Sequence, residues 1–428
     1  MSDNLEFVPC PNNNFDEHIQ EYFKRSNAAC PKIEAIYGKW NMEDLIPGMS
    51  DFDTRFLVSS GTIPEDWVEM SREVGRVHTE ICREYPDRAR ILEHLPGLNF
   101  TWDEVADPIF YYPEFHQWSF YYGNSAKNEV FMKNLAAHSW STTDELFSIK
   151  KFTLYFTPYD REIDPPINLG PYENKYPLHS RFMHYFCPPV QCAVSILSKR
   201  MVKGKYESLR LAREMLPYPE VIDMIFDSIE KHYETPELYK EPRLSEVEDQ
   251  LFKYLNEVYR IIQPHITVID APLPSENLRD LLLERLGEIG TGIMTRFYEG
   301  IKFCRMMMGR LLFYAEEISH FDSSWLIRHE LGRIRRLFFE TTFSTFAVIA
   351  WDKKLTPEES LERCRGEFLS EYDYLAVKEF ADIFSETYSE TEIKKFSKKV
   401  AARMAPFQTA IERLALRARE LARSKSLL

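Results

Sequence analysis

At 428 residues, with 44% hydrophobic and 14% aromatic residues and only 15 glycines, the chain is long enough for two or three ordered, helix-leaning domains. Its formal net charge of -14 excludes a general nucleic-acid binder, which draws its affinity from a basic surface that neutralises phosphates. The 7 cysteines are odd in number and form no C-x-x-C pair, which excludes a disulfide framework or a cysteine-built zinc cluster and points to a reducing compartment.

The amino terminus is acidic and lacks an apolar core of signal-peptide length, and no run of roughly eighteen apolar residues occurs, so a soluble cytoplasmic protein without membrane contact is expected. A polar turn, Pro11-Asn12-Asn13-Asn14, leads into a short helix from Phe15 to Ser26. Ile33 to Tyr37, bounded by Pro31 and Gly38, reads as the first strand. The second runs from Asp51 to Val58 and ends at Ser59-Ser60-Gly61. Its alternation puts Phe52, Thr54, Phe56 and Val58 on one face and Asp51, Asp53 and Arg55 on the other. Two carboxylates side by side suit hard divalent cations, which can clamp the attacking and leaving oxygens of a phosphoryl transfer. Arg55 either neutralises phosphate there or pairs with Asp53.

Tyr37-Gly38-Lys39-Trp40, followed by Pro47-Gly48-Met49-Ser50-Asp51-Phe52-Asp53, resembles the signature of the polymerase-beta-like nucleotidyltransferases: a strand ending in Gly-Ser, a short connection, then Ser-Asp-x-Asp opening the next strand. Lys39 stands where that family has Ser or Gly. The resemblance implies that Asp51 and Asp53 hold Mg²⁺ or Mn²⁺ and that Gly38, Lys39 and Ser50 line the triphosphate of an NTP, with ATP the expected donor. It further implies a third carboxylate on a neighbouring strand, as metal ligand or general base.

Thr62-Ile63-Pro64-Glu65-Asp66 has helix-start chemistry, with Thr62 as the capping hydroxyl, and the helix should run to Tyr85. His78 lies near its apolar face and reads as a core or boundary histidine. Leu98 to Val105 is the next strand candidate, and it makes Asp103 the first choice for the third carboxylate and Glu104 the second, since only one can face the site. Pro108 to Gly123 is densely aromatic, suited to stacking a base or to packing between domains. Lys150 to Thr157 reads as an added strand with an acidic loop, in which Asp160 and Glu162 are further candidates for the third acid. Pro165-Pro166 and Gly170-Pro171 mark a domain boundary.

From about residue 178 the pattern is helical: His184 to Arg200, Tyr206 to Leu216, Pro219 to Glu234, Ser245 to Ile262, Ser275 to Ser319, Leu337 to Trp351, Thr356 to Phe384 and Ser389 to Leu428. Ile109 to Trp118 and Ser198 to Pro217 are distantly similar to stretches of the aminoglycoside adenylyltransferases, and that likeness implies that Lys205 approaches the nucleotide phosphates. Gly287 to Gly292 lacks the strand a phosphate loop needs and suits close helix packing instead. Met306-Met307-Met308 reads as core filler. Arg328 to Arg336 and the basic segment after Lys394 either meet an anionic partner or pair with the chain's own surplus acids.

The expected fold is therefore α+β: a helical lead-in over 1–30, a small mixed-sheet nucleotidyltransferase-like domain over 31–175, and a large all-helical domain over 176–428 with a split near 265–275. The expected activity is transfer of a nucleoside monophosphate to a hydroxyl of a small molecule or protein. The alternative is a protein that keeps the fold without the chemistry, as a nucleotide binder or scaffold. A metal-dependent glycosyltransferase is disfavoured, because its fold needs more alternating strands and helices before the Asp-x-Asp than this chain offers.

Overall fold

A computed structural model describes residues 5–7, 16–39, 44, 53–85, 92, 94–156, 187–230, 243–268, 293–316 and 323–425. It shows a small mixed sheet attached to a large helical part. The sheet contains β1 (Leu5–Phe7), β2 (Ile33–Gly38), β3 (Thr54–Val58), β4 (Phe100–Thr101) and β5 (Ser119–Asn124), in the order β1-β5-β2-β3-β4. All neighbours are antiparallel except β3 and β4.

Strand alternation divides the apolar side chains between two faces. Ile36, Phe56 and Val58 face a core shared with helices α1 (Asp16–Ala29) and α2 (Pro64–Glu84). Ala35, Tyr37 and Leu57 face a smaller aromatic core with Phe100, Phe115, Trp118 and Phe131. The β3 alternation expected from sequence is present, and Arg55 lies on the aromatic side with Leu57.

Three expected local structures are corrected. Leu98 to Val105 is not one strand: only Phe100–Thr101 is extended, and Trp102–Ala106 is helical (α3). Thr101 Oγ1 accepts the Glu104 N–H at 3.2 Å while Glu104 Oε2 accepts the Thr101 N–H at 2.9 Å, a reciprocal cap that turns the chain into a helix. Of the expected strand Lys150 to Thr157, the described residues, Lys150 to Phe156, belong to a helix, α5 (Thr142–Phe156), because Leu146, Ile149 and Phe152 recur at helical spacing and are all buried. At the start of α2 the N-cap is Ile63, whose N–H is accepted by Asp66 at 2.8 Å; Thr62 Oγ1 instead donates to the Ser59 carbonyl at 2.8 Å.

Strand β5 arises from the aromatic segment. Gly123 in β5 has φ +139, and a Cβ there would lie 2.2 Å from the Glu34 carbonyl oxygen, so only glycine lets β5 approach β2 where Gly123 pairs with Ala35.

The helical part has two cores. Helices α5, α6 (Cys187–Ser198), α7 (Lys205–Met215), α8 (Pro219–Glu230) and α9 (Arg243–Ile262) bury one apolar cluster among themselves. The helices from α10 (Ile293–Cys304) onward instead return to the sheet-bearing part and share its main core. In that core α11 (Met307–Tyr314) packs on α2, and α12 (Ile393–Ser424) lays Val400, Met404, Phe407, Ile411 and Leu414 along it. Met306, Met307 and Met308 are buried there as core residues. The basic segments are largely spent internally: Arg328 pairs with Glu390, Arg335 with Glu340, Arg403 with Glu379, and Arg419 and Arg423 with Asp107. Among the described residues, no helix is long and apolar enough to cross a membrane.

Candidate functional site

The end of β2 and the beginning of β3 lie side by side, with Gly38 opposite Thr54 and the Lys39 N–H donating to the Asp53 carbonyl at 3.2 Å. The glycine bend and the second acid of the Asp-x-Asp thus occupy one corner of the sheet. Asp53 keeps 30% of its side chain exposed, while Arg55, two residues on and on the same face, is only 5% exposed.

A buried guanidinium needs carboxylate partners, and Arg55 has two. Its Nη1 lies 2.5 Å from Asp53 Oδ1 and its Nη2 3.3 Å from Asp53 Oδ2. Its Nε and Nη2 donate to Glu114 Oε1 at 3.1 and 3.0 Å. Glu114 sits in a 3-10 turn, Pro113–Gln117, and its Oε1 also accepts the Trp118 indole N–H at 3.2 Å. Lys39 Nζ stands 3.5 Å from Glu114 Oε2. Two acids and two bases therefore form one partly solvated network, with Asp53 and Lys39 toward water and Arg55 and Glu114 inside.

Burial opposes ionisation of Asp53, but the Arg55 guanidinium and the Lys39 ammonium outweigh it and hold the carboxyl down at about 2. Asp53 is thus a charged oxygen donor at neutral pH. An ionised carboxylate has about four lone-pair sites, and Arg55 uses two of those on Asp53. The rest suit Mg²⁺, which takes one or two carboxylates and retains several waters.

Behind this corner, Arg310 donates to Glu330 at 2.8 Å and to the Leu95 carbonyl at 2.6 Å. Lys302, 1% exposed, places its ammonium 3.2 Å from the centroid of the Tyr112 ring, a buried cation–π contact.

The other expected site residues divide. Asp51 and Ser50, and the further candidates Asp160 and Glu162, lie outside the described residues. Gly38 is buried at the bend. Lys205 opens α7, and its backbone N–H and that of Tyr206 donate to the two oxygens of the buried Asp44, at 3.0 and 2.9 Å. Asp44 belongs to the connection between β2 and β3, so this acid ties the start of α7 to the segment that carries the motif.

Asp103 and Glu104 are not beside Asp53. Val58 pairs with Thr101, so both acids sit past the opposite end of β3, about 16 Å along the strand at 3.3 Å per residue. Asp103 is exposed on α3. Glu104 turns inward to a bidentate pair with Arg305, at 2.7 Å for each oxygen, and Arg305 also binds Glu412 at 2.8 and 3.1 Å. The carboxylate that does approach Asp53, through their common arginine, is Glu114. Sequence reasoning passed over it because it lies inside an aromatic run, Phe110 to Tyr122, whose apolar residues dominate the pattern.

No protein-family profile, curated protein or solved structure matches this chain.

Proposed function

We propose that the chain is a Mg²⁺-dependent nucleotidyltransferase that moves a nucleoside monophosphate from an NTP to a hydroxyl of a small molecule or protein, as the motif resemblance implies. The observation that carries this reading is the corner where the Gly38-Lys39 bend abuts an ionised, partly exposed Asp53. Asp53, with Asp51 beside it in sequence, would hold the metal, and Mg²⁺ bound there supplies positive charge to the phosphate oxygens. Arg55 fixes the Asp53 carboxylate, and Glu114 fixes Arg55; both act as positioning residues. Lys39 brings a second positive charge to the solvent side of the same corner.

The test is thermal unfolding with ATP and Mg²⁺, compared between wild type and Asp51→Ala/Asp53→Ala. On this reading the wild type melts about 2–4 °C higher at saturating nucleotide and the double variant does not move. Pyrophosphate release with a panel of hydroxylated acceptors then reports the transfer.

A second reading is a nucleotide-binding or scaffold protein without catalysis. It is favoured by the Arg55 contact to both Asp53 oxygens, which occupies part of the carboxylate a metal would use. A nucleotide-induced stabilisation with no pyrophosphate release across the panel would support a nucleotide binder, and no shift in either protein a scaffold.

A further inference from the structure

Away from this corner, three potential metal ligands converge from three separate pieces of chain. His116 is in the turn Pro113–Gln117, His138 follows helix α4 (Ser125–Ala136), and Asp144 is in the first turn of α5. Ligating atoms of the three lie within 4.8 Å of one another. The two imidazole centroids are 5.6 Å apart, and Tyr111 stacks on His138 at 3.9 Å.

Asp144 is held from several directions. Its Oδ2 accepts from the Ser141 N–H at 2.8 Å, the Ser141 hydroxyl at 2.6 Å and His138 Nε2 at 2.9 Å; its Oδ1 accepts from the Tyr111 hydroxyl. Such partners orient a carboxylate ligand and fix its basicity. They also serve an ordinary helix cap, so on their own they assign nothing. What a cap leaves unexplained is His116, whose Nε2 is shut off from solvent and has no hydrogen-bond partner. A buried polar atom without a partner carries an uncompensated desolvation cost, and a coordinated cation removes that cost.

We propose that His116, His138 and Asp144 bind one divalent transition-metal ion, with Zn²⁺ the best match. Two imidazoles and a carboxylate are the borderline donors this ion takes, at about 2.0–2.2 Å, and three protein ligands leave the fourth tetrahedral position open. That position faces a cleft of about 410 Å³ bordered by Trp140, Lys199, Arg200 and Met201. The ion takes the place of the hydrogen bond between His138 and Asp144, and the imidazole proton passes to the other ring nitrogen. Because Phe115 belongs to the aromatic core of the sheet and Leu146 to the core of α5 to α9, the ion clamps those two cores together. This site is independent of the nucleotide reading.

The test is titration of the metal-stripped full chain with Zn²⁺, followed by calorimetry, and with Co²⁺, followed by its visible ligand-field spectrum. The expected result is one equivalent bound, a tetrahedral Co²⁺ spectrum and a higher melting temperature with Zn²⁺. His116→Gln and His138→Gln should each weaken binding by more than about 10-fold, the loss typical of outer-shell changes. Tyr111→Phe, which keeps the stacked ring, should weaken it less, and His265→Ala, at an exposed histidine elsewhere, should leave it unchanged. Circular dichroism of each metal-free variant verifies folding, so a variant that fails to fold is replaced by Tyr111→Phe as the reporter. Zn²⁺ affinity in folded His116→Gln within a few-fold of wild type, an octahedral Co²⁺ spectrum, or no binding by the wild type would overturn the assignment.

Discussion

Arg55 grips Asp53 through both carboxylate oxygens, and the opposite side of the same guanidinium is held by Glu114, itself only 4% exposed. Removing one partner of a buried charge costs far more than the pair contributes, because the remaining charge keeps its desolvation penalty. Glu114→Ala should therefore destabilise the fold by about 3–5 kcal/mol. Glu114→Gln, which can still accept from Arg55 and Trp118, should cost clearly less. Urea denaturation of both variants measures the difference, and equal losses would show that charge at Glu114 does not matter.

The two acids first expected to complete the site should separate in the same assay. Asp103 is exposed, and Asp103→Asn should stay within about 0.5 kcal/mol of wild type. Glu104 shares buried Arg305 with Glu412, so Glu104→Ala should cost about 3–5 kcal/mol. On the proposed nucleotidyltransferase reading, pyrophosphate release should be unchanged in Asp103→Asn. A loss of activity without loss of stability in that variant would return Asp103 to the reaction and contradict the placement on α3.

Much of the sheet-bearing part was legible wherever local pattern and final burial agree. Ile33 to Tyr37, the alternation of β3, and the apolar stripe of α2 with Trp67, Val74, Val77 and Ile81 all bury as their spacing implies. What misled was chemistry that points two ways. Phe152-Thr153-Leu154-Tyr155-Phe156 has strand-forming side chains, yet the spacing of Leu146, Ile149 and Phe152 lets a helix bury them in a core built by residues after 187. The Thr101 and Glu104 cap was readable as Thr-x-x-Glu, but an apolar lead-in masked it. Neither Glu114 nor the meeting of His116, His138 and Asp144 has a local signal, since each depends on how distant segments pack.

Close packing of α11 on α2 depends on two glycines. A Cβ on Gly309 would lie 2.1 Å from the Ser71 carbonyl oxygen, and one on Gly75 would lie 2.7 Å from Gly309 Cα. Both obstacles are backbone, so neither can rotate aside; the helices must separate, and the hydrogen bond from the Gly309 N–H to Ser71 Oγ, now 3.0 Å, must stretch. Gly309→Ala should cost at least about 3 kcal/mol, at or beyond the upper end for overpacked cores, despite the higher helix propensity of alanine. A thermal melt within 1 °C or so of wild type would show that the helices can slide apart freely.

His78 should give the chain an acid sensitivity that begins well above the carboxylate range. Its ring is fully buried; Nε2 donates to the Leu92 carbonyl at 2.9 Å, which leaves Nδ1 to accept from the Tyr22 hydroxyl at 2.9 Å. Burial pushes its pKa from 6.5 down to about 3, so the folded state holds the neutral ring while the unfolded chain takes up a proton. Between those two values the unfolded state binds more protons, and stability falls as the pH falls, by at most about 1.4 kcal/mol per pH unit. Above pH 6.5 the effect fades and is gone by about pH 7.5, where His78 is neutral in both states. Asp53 and Glu330, each held near 2 in the fold, add their own losses as the pH falls through the unfolded values of 3.8 and 4.5, beginning at about pH 5, and they do so equally in wild type and in a His78 variant. His78→Gln keeps a polar side chain but cannot titrate, so its unfolding free energy should be flatter than the wild type's between pH 6 and 4.5. Urea titrations at half-unit pH intervals measure both slopes, and parallel curves across that window would show that His78 is not the titrating group.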